Sequence, residues 1–239
     1  MNDNYIQGLR LELDKVDKDS YVNQIEAFNN VNELIFDSPI TFFVGENGSG
    51  KSTLLEAIAE SYGFNKEGGT RNYNFSTYEE SPLKDIITLF KGPRKTNYSY
   101  FFRAETFFNV ASAEEEYSKA NPYKESEKYH SKSHGEGFLH LFKSFDKNGL
   151  FLLDEPEAAL SPQKQLALFS LIHESSNNGS QFIIISHSPI LLGMPNAAIY
   201  EFSDKGINKC KYEDTQSYNI TKMFIEHRQS MIDELTKRD

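Results

Sequence analysis

The chain has 239 residues, a mass of 27.4 kDa and a hydrophobic content of 38%, which suffices for the core of one large α/β domain or two small ones. Its 19 Phe and 13 Tyr residues exclude a disordered chain, and no apolar run approaches the roughly 18 residues that cross a bilayer. The formal net charge of -10 argues against a surface dominated by nucleic-acid contacts, although it is compatible with a local basic groove. The single Cys210 excludes an intrachain disulfide framework, and the first residues lack the basic and apolar regions of an export signal, so we expect a cytoplasmic protein without membrane insertion.

Apolar patterning in the first part of the chain predicts a strand, a loop and a helix in succession. Apolar residues mostly alternate over 6–13, and a compact apolar run follows at 40–44. From Lys51 the apolar spacing becomes helical, and Gly63 is suited to end that helix. Residues 64–100 are polar and rich in Gly, Asn, Ser and Tyr, so we predict loops around one short helix there.

Strand and helix patterns alternate through the rest of the chain, which predicts a parallel α/β sheet. The predicted elements are strands at 98–102, 150–153 and 181–185, helices at 107–119, 136–145 and 161–175, and two short strands within 199–212. Ser161 followed by Pro162 marks a helix start, because Ser caps a free N–H and Pro has none. Apolar residues at helical spacing from Ile220 to Leu235 predict a terminal helix that packs on the core, with a partner surface as the alternative.

A glycine-rich stretch between the strand at 40–44 and the helix that begins at Lys51 satisfies the pattern G-x-x-x-x-G-K-[ST]. Its residues are Gly45, Glu46, Asn47, Gly48, Ser49, Gly50, Lys51, Ser52 and Thr53. Glycines allow consecutive backbone N–H groups to face phosphate oxygens, and the helix N-terminus adds a positive dipole. Lys51 is expected to reach the β- and γ-phosphates and Ser52 to ligate Mg²⁺, so the stretch predicts a nucleotide phosphate site.

Two adjacent carboxylates follow the predicted strand at 150–153. The carboxyl ends of parallel strands are where ligands bind in an open sheet, so Asp154 and Glu155 are expected at the same edge as the phosphate loop. Asp154 is suited to hold Mg²⁺, and Glu155 to act as a general base on water. Taken alone, the pair is equally compatible with a helix cap.

Together these residues resemble the ABC-type ATPases, specifically the small soluble bacterial branch related to SMC and recombination-repair ATPases and described as predicted AAA-type ATPases. The resemblance implies an α/β P-loop NTPase fold, namely an ABC-type ATPase head with a mostly parallel core sheet flanked by helices and an N-terminal antiparallel β part. It implies one domain over 1–239, with a helical and signature-bearing subregion at about 64–145. The stretch between Thr53 and Ser133 is too short for the long coiled coil of SMC proteins.

Further motifs of the family follow in the expected order. The resemblance implies a signature around Ser133 and Gly135 that contacts the ATP of a second subunit, an adjoining D-loop at 157–161, and a switch histidine at His187 that faces the γ-phosphate. The sequence Ser-His-Gly-Glu at 133–136 departs from the transporter form, so an ordinary surface turn is the alternative there. A structural role is the alternative for His187.

Two family positions lack a clear match. No Gln marks the loop that senses Mg²⁺; Glu105, after the strand at 98–102, is the candidate, with an ion-paired surface residue as the alternative. Tyr21 has the position of the aromatic residue that stacks on adenine in the family, with a packing role as the alternative. His130 and His134 lie four residues apart but have no nearby Cys, which disfavours a zinc site.

These motifs predict Mg²⁺-dependent ATP binding and hydrolysis, with an ATP-dependent head-to-tail homodimer acting on an unidentified protein or nucleic-acid partner. Two alternatives remain at this stage. One is the ATP-binding subunit of a transporter, and the other is a non-hydrolysing, nucleotide-switched module in DNA repair or phage defence.

Overall fold

The computed structural model describes residues 3–29, 31–70, 81, 83–96, 98–106 and 148–237. Within this part of the chain, seven strands form a sheet in the order β10-β9-β3-β8-β7-β6-β4. Their bounds are β3 Ile40–Gly45, β4 Gly69–Thr70, β6 Tyr98–Arg103, β7 Gly149–Asp154, β8 Gln181–Ile185, β9 Ala198–Ser203 and β10 Gly206–Cys210. The five central strands are parallel, and β4 and β10 run antiparallel at the two edges. The mostly parallel core sheet is therefore confirmed.

Both faces of the central strands are buried, as expected for a parallel sheet covered on each side. Successive side chains point to opposite faces, so Phe42 and Phe43 of β3 belong to two different apolar clusters. Leu152 and Leu153 of β7 divide in the same way, and all four side chains are fully buried. The apolar runs in the sequence thus reflect burial on two faces.

Helices cover one face of the sheet, and a helix with a second sheet covers the other. Helix α1 (Lys51–Tyr62) packs in one apolar cluster with the antiparallel sheet β2-β1-β5, formed by β1 (Ile6–Leu11), β2 (Glu33–Ile35) and β5 (Ile87–Lys91). On the opposite face, α2 (Pro162–Asn177) and α3 (Pro189–Leu192) supply the second cluster. The buried Gln181 side chain joins the two sheets, because it accepts from the N–H of Ile6 at 2.8 Å and donates to its carbonyl at 2.7 Å. The expected antiparallel β part is thereby confirmed.

The expectation of loops around one short helix over 64–100 is wrong within the described residues. Strand β5 pairs antiparallel with β1, placing Leu89 opposite Leu9, and β4 pairs with β6. The alternation of Ile87 and Leu89 is too short to distinguish a strand from a helix, and the pairing partner of β5 lies far away in sequence. The predicted helices at 107–119 and 136–145 lie outside the described residues.

The expected packing of the C-terminal helix on the core is also wrong. The segment forms α4 (Gln216–Glu226) and α5 (Arg228–Leu235), and neither helix has a buried residue. Ile225 is 73% exposed and Leu235 75% exposed. The apolar residues at helical spacing in this segment therefore form an exposed apolar stripe on two amphipathic helices. Across the described residues, no helix combines the length and apolar character that a membrane crossing requires.

Candidate functional site

The phosphate loop connects β3 to α1 through backbone conformations that glycine adopts readily. Gly45, Gly48 and Gly50 have φ angles of 138°, 81° and 93°. A Cβ on Gly45 would lie 2.4 Å from the carbonyl oxygen of Phe202 on the neighbouring strand β9. A Cβ on Gly50 would lie 2.6 Å from Cγ2 of Ile25, so two of the three glycines also satisfy a close approach.

We expect Gly50→Ala to destabilise the protein more than Gly48→Ala. Both changes place a side chain at positive φ, which costs about 1–3 kcal/mol. Only the methyl group at position 50 also meets other side chains, those of Ile25 and Phe28, whereas nothing lies within 4 Å of a Cβ at position 48. Thermal unfolding should therefore show a Tm for Gly50→Ala at least about 2 °C below that of Gly48→Ala. Equal Tm values would contradict the packing of the 25–28 segment against the loop.

Lys51 is folded back into the loop that it follows. Its side-chain Nζ donates to the carbonyl oxygens of Gly45 at 2.9 Å and Glu46 at 2.6 Å, and the residue is only 5% exposed. Burial lowers the pKa of Lys51, while the carboxylates of Glu155, Asp154 and Glu46 oppose that shift. The ammonium group is thus held against the start of the phosphate loop, beside the position that the sequence pattern assigns to phosphate.

Ser52 and Asp154 come together across the first turn of α1 and the end of β7. The Ser52 hydroxyl donates to Oδ1 of Asp154 at 3.4 Å. Burial raises the pKa of Asp154 to about 6, and the Arg103 guanidinium opposes the rise. A hydroxyl and a carboxylate at this separation are oxygen donors of the kind that Mg²⁺ prefers, so the predicted metal ligands fit the ion. Thr53 lies beside them in the first turn of α1 and is half-buried.

Arg103 is a member of this cluster that the sequence did not single out. It ends β6 directly opposite Asp154 in the parallel pairing, with Nε 3.6 Å from Oδ2 of Asp154. Its Nη1 lies 2.8 Å from Oε1 of Glu56 on α1, so the guanidinium bridges the buried carboxylate of Asp154 and the partly buried one of Glu56. The available signal was a basic residue directly after a buried strand, at the edge where the other site residues were expected.

Glu155 and His187 face each other beyond the ends of β7 and β8. Oε1 of Glu155 lies 3.8 Å from Nε2 of His187, and Glu155 has a positive φ of 50°. Burial and then the nearby Lys51 lower the pKa of His187, which favours the neutral imidazole, and the Glu155 carboxylate opposes the shift. Among the described residues its buried Nε2 has no hydrogen-bond partner. The structure therefore brings a carboxylate and an imidazole together near Lys51, at the edge of the sheet where the sequence placed both residues.

A cavity of about 660 Å³ opens beside the phosphate loop. Its lining includes five predicted residues of the loop, namely Gly45, Glu46, Asn47, Gly48 and Ser49. The other walls come from residues 24–27 and 201–204 together with Asp214 and Gln216, and these were not predicted. No motif identifies such positions, because they approach the loop only through the folding of distant segments.

Tyr21 and Glu105 lie elsewhere. Tyr21 is 53% exposed and lines a separate groove of about 380 Å³ together with Arg103 and Glu105, and it is not among the described residues that line the cavity at the loop. The Glu105 side chain is 86% exposed, and its carboxylate lies 4.0 Å from Nη2 of Arg103. Ser133 and Gly135 lie outside the described residues.

Comparisons with known proteins find similarities in sequence and in fold. A protein of Escherichia coli named McbF is 25% identical over 230 residues, covering 87% of this chain and 87% of that protein. The SMC head domain from Thermotoga maritima matches 86% of this chain and 98% of its own at 16% identity and a TM-score of 0.47. The SmcHead bound to the C-winged helix domain of ScpA matches 87% of this chain and 99% of its own, at 17% identity and a TM-score of 0.48. A family model described as an AAA domain, AAA_23, matches residues 21–237, and the chain therefore belongs to this family of P-loop ATPases.

Proposed function

We propose that this protein binds ATP with Mg²⁺ and hydrolyses it to ADP and phosphate. The observation that carries the proposal is the convergence of Lys51, Ser52, Asp154, Glu155 and His187 at the carboxyl edge of the adjacent strands β3, β8 and β7. Each of these side chains has a chemical role in phosphoryl transfer to water, which is catalysed by positioning and by electrostatic stabilisation.

Ser52 and Asp154 would hold the Mg²⁺ ion, which would neutralise charge on the phosphate oxygens. Lys51 and the loop amides bind the β- and γ-phosphates, because the Lys51 ammonium is held against the loop and the glycine φ angles allow backbone N–H groups to face phosphate oxygens. Glu155 accepts a hydrogen bond from the attacking water and orients it, and the neutral imidazole of His187 hydrogen-bonds the γ-phosphate.

The cavity beside the loop is suited to the nucleoside. Its volume of about 660 Å³ lies in the range of small-molecule sites, and it adjoins the residues that would bind the phosphates. Carboxylates of Glu201, Asp204 and Asp214 line it and can accept hydrogen bonds from the base or the ribose. Stacking of adenine on Tyr21 stays a prediction. Because the Tyr21 side chain lines a separate groove, we favour the cavity beside the loop as the adenine site.

Hydrolysis would take place in a head-to-tail homodimer formed in the cytoplasm with ATP between the subunits. The partial exposure of the Glu155 and His187 side chains supports this arrangement. A second subunit that covered them would exclude water from the site. The signature residues Ser133 and Gly135 of the second copy would then meet the γ-phosphate. The closed dimer would act on a protein or nucleic-acid partner.

Mixing two inactive variants tests the composite site. Lys51→Ala removes the phosphate-binding cation, and Gly135→Asp places a carboxylate against the γ-phosphate of the other subunit. Each homodimer has two defective sites, whereas every mixed dimer retains one intact site. Random exchange should therefore restore roughly a quarter of wild-type turnover. A Gly135→Asp protein that dimerises and hydrolyses ATP at the wild-type rate would contradict the composite site.

A further inference from the structure

Glu157 is a buried acidic residue with no role in the mechanism described so far. It lies in the loop that follows β7, and its Oε1 accepts from the N–H of His187 at 2.7 Å and from that of Ser188 at 3.2 Å. The hydroxyl of Ser186 donates to the same oxygen at 2.8 Å. One carboxylate oxygen therefore binds three successive residues of the loop that follows β8.

The second oxygen of Glu157 is placed differently. Oε2 is shielded from solvent and has no hydrogen-bond partner within the described part of the chain. Burial raises the pKa of Glu157, and the hydrogen bonds from His187 and Ser186 oppose the shift. A buried acid with one unpaired oxygen is expensive to maintain for loop stability alone.

A second contact joins the same two loops. The Ser188 hydroxyl donates to Oε1 of Gln165 on α2 at 2.6 Å, and Nε2 of Gln165 donates to the carbonyl of Leu160 at 3.0 Å. Ser188 also caps α3, since its Oγ accepts from the N–H groups of Ile190 and Leu191. The loop carrying His187 is thus held at both ends of its short length.

Glu155 and His187, the pair proposed to act at the γ-phosphate, lie on the two loops that these contacts join. Glu155 precedes Glu157 by two residues, and its own N–H donates to the carbonyl of Ile185 at 3.1 Å. The loops bearing Glu155 and His187 are therefore tied to each other in both directions. The side chains of Glu155 and His187 lie 3.8 Å apart on these two loops.

We propose that Glu157 is a positioning residue for ATP hydrolysis, which holds the backbone of His187 so that the imidazole stays beside Glu155. The inference rests on the proposed function of the site. Glu157 acts as a hydrogen-bond acceptor, because all three of its contacts come from donors. An amide oxygen can take over that role, whereas a methyl group cannot.

Three variants of the full chain separate this role from a general effect on folding. Glu157→Ala removes the acceptor, Glu157→Gln keeps it, and Glu174→Ala removes an exposed carboxylate of α2 as the matched control. We expect Glu157→Ala to lower kcat on the order of 100-fold, as for a misplaced catalytic group, while KM for Mg²⁺-ATP changes little. Glu157→Gln should restore most of the rate, and Glu174→Ala should match the wild type. Wild-type kcat in Glu157→Ala would overturn the proposal.

A measurement without nucleotide keeps the proposal separate from the proposed function. NMR titration of the imidazoles reports His187 directly, with His173 and His227 as internal references. Glu155 and Lys51 are the charged groups that act on the His187 ring, and burial lowers its pKa. In Glu157→Ala the released His187 ring should be more exposed, so its pKa should rise towards the ordinary value. The titrations of His173 and His227 should be the same as in the wild type. In Glu157→Gln the His187 pKa should also match that of the wild type.

The outcomes are distinguishable. Absence of phosphate release by the wild type would contradict the proposed function, and the His187 titration would still decide whether Glu157 positions the ring. An unchanged His187 pKa in Glu157→Ala would overturn the positioning role. Where Glu157→Ala does not fold, Ser186→Ala removes one donor to the same oxygen and should shift kcat and the His187 pKa in the same directions, by less. If both kcat and the His187 pKa of Ser186→Ala equalled those of the wild type, the proposal would be overturned.

Discussion

Glu155→Gln should bind Mg²⁺-ATP with near wild-type affinity and hydrolyse it about 100- to 10,000-fold more slowly, the range expected for loss of a general base. The amide keeps the size of the side chain and its 3.8 Å approach to His187, but it lacks the basic oxygen that orients water. The hydrogen bonds of Lys51 within the phosphate loop are kept, because they are made with the carbonyl oxygens of Gly45 and Glu46.

The same variant should accumulate ATP-bound dimers, since hydrolysis is the step that reopens them. Light scattering coupled to gel filtration, with and without Mg²⁺-ATP, measures this directly. Glu174→Gln, which neutralises an exposed carboxylate on α2, is the matched control and should behave as the wild type. A Glu155→Gln protein that stays monomeric with ATP and turns it over normally would remove Glu155 from the mechanism.

Lys51→Ala should weaken ATP binding as well as turnover. The lost interaction is a charge-assisted hydrogen bond to phosphate, worth about 1.5–3 kcal/mol, which corresponds to roughly a 10- to 100-fold higher Kd. Folding should survive, because the carbonyl oxygens of Gly45 and Glu46 that Lys51 contacts belong to residues that line an open cavity, where water can replace the lost donor.

Calorimetric titration of ATP into the variant measures the loss. Lys18→Ala removes an exposed lysine far along the chain from the phosphate loop and serves as the control for net charge. The Tm of Lys51→Ala should stay close to that of the wild type. Unchanged ATP affinity and turnover would show that the loop does not bind phosphate, despite its sequence pattern and the glycine conformations that shape it.

Local patterns predicted the central strands well, because each is a continuous apolar run buried on both faces. The runs at 150–153 and 181–185 became β7 and β8 with nearly the expected bounds. Strand β5 was missed because its identity depends on pairing with β1, which no local pattern encodes. The terminal segment is helical as expected, although it forms two helices instead of one. The same spacing describes a core-facing stripe and a surface stripe, so the exposure of α4 could not be inferred.

The residues of the site also fall into those that local sequence motifs predict and those that only the fold brings in. Lys51, Ser52, Asp154 and Glu155 belong to motifs whose chemistry fixes residue type and spacing, and the fold brings them to one edge of the sheet. Arg103 enters through the register of β6 against β7, which is a property of the sheet. The contacts of Glu157 with the loop of His187 likewise require the two strands to be neighbours.

Phosphate release by the purified protein at saturating Mg²⁺-ATP tests the central claim most directly. We predict steady release of inorganic phosphate, lost when EDTA removes the metal and lost again in Glu155→Gln. Recovery of intact ATP from the wild-type protein after prolonged incubation, with nucleotide bound but no phosphate formed, would contradict hydrolysis and leave a nucleotide-switched binding module.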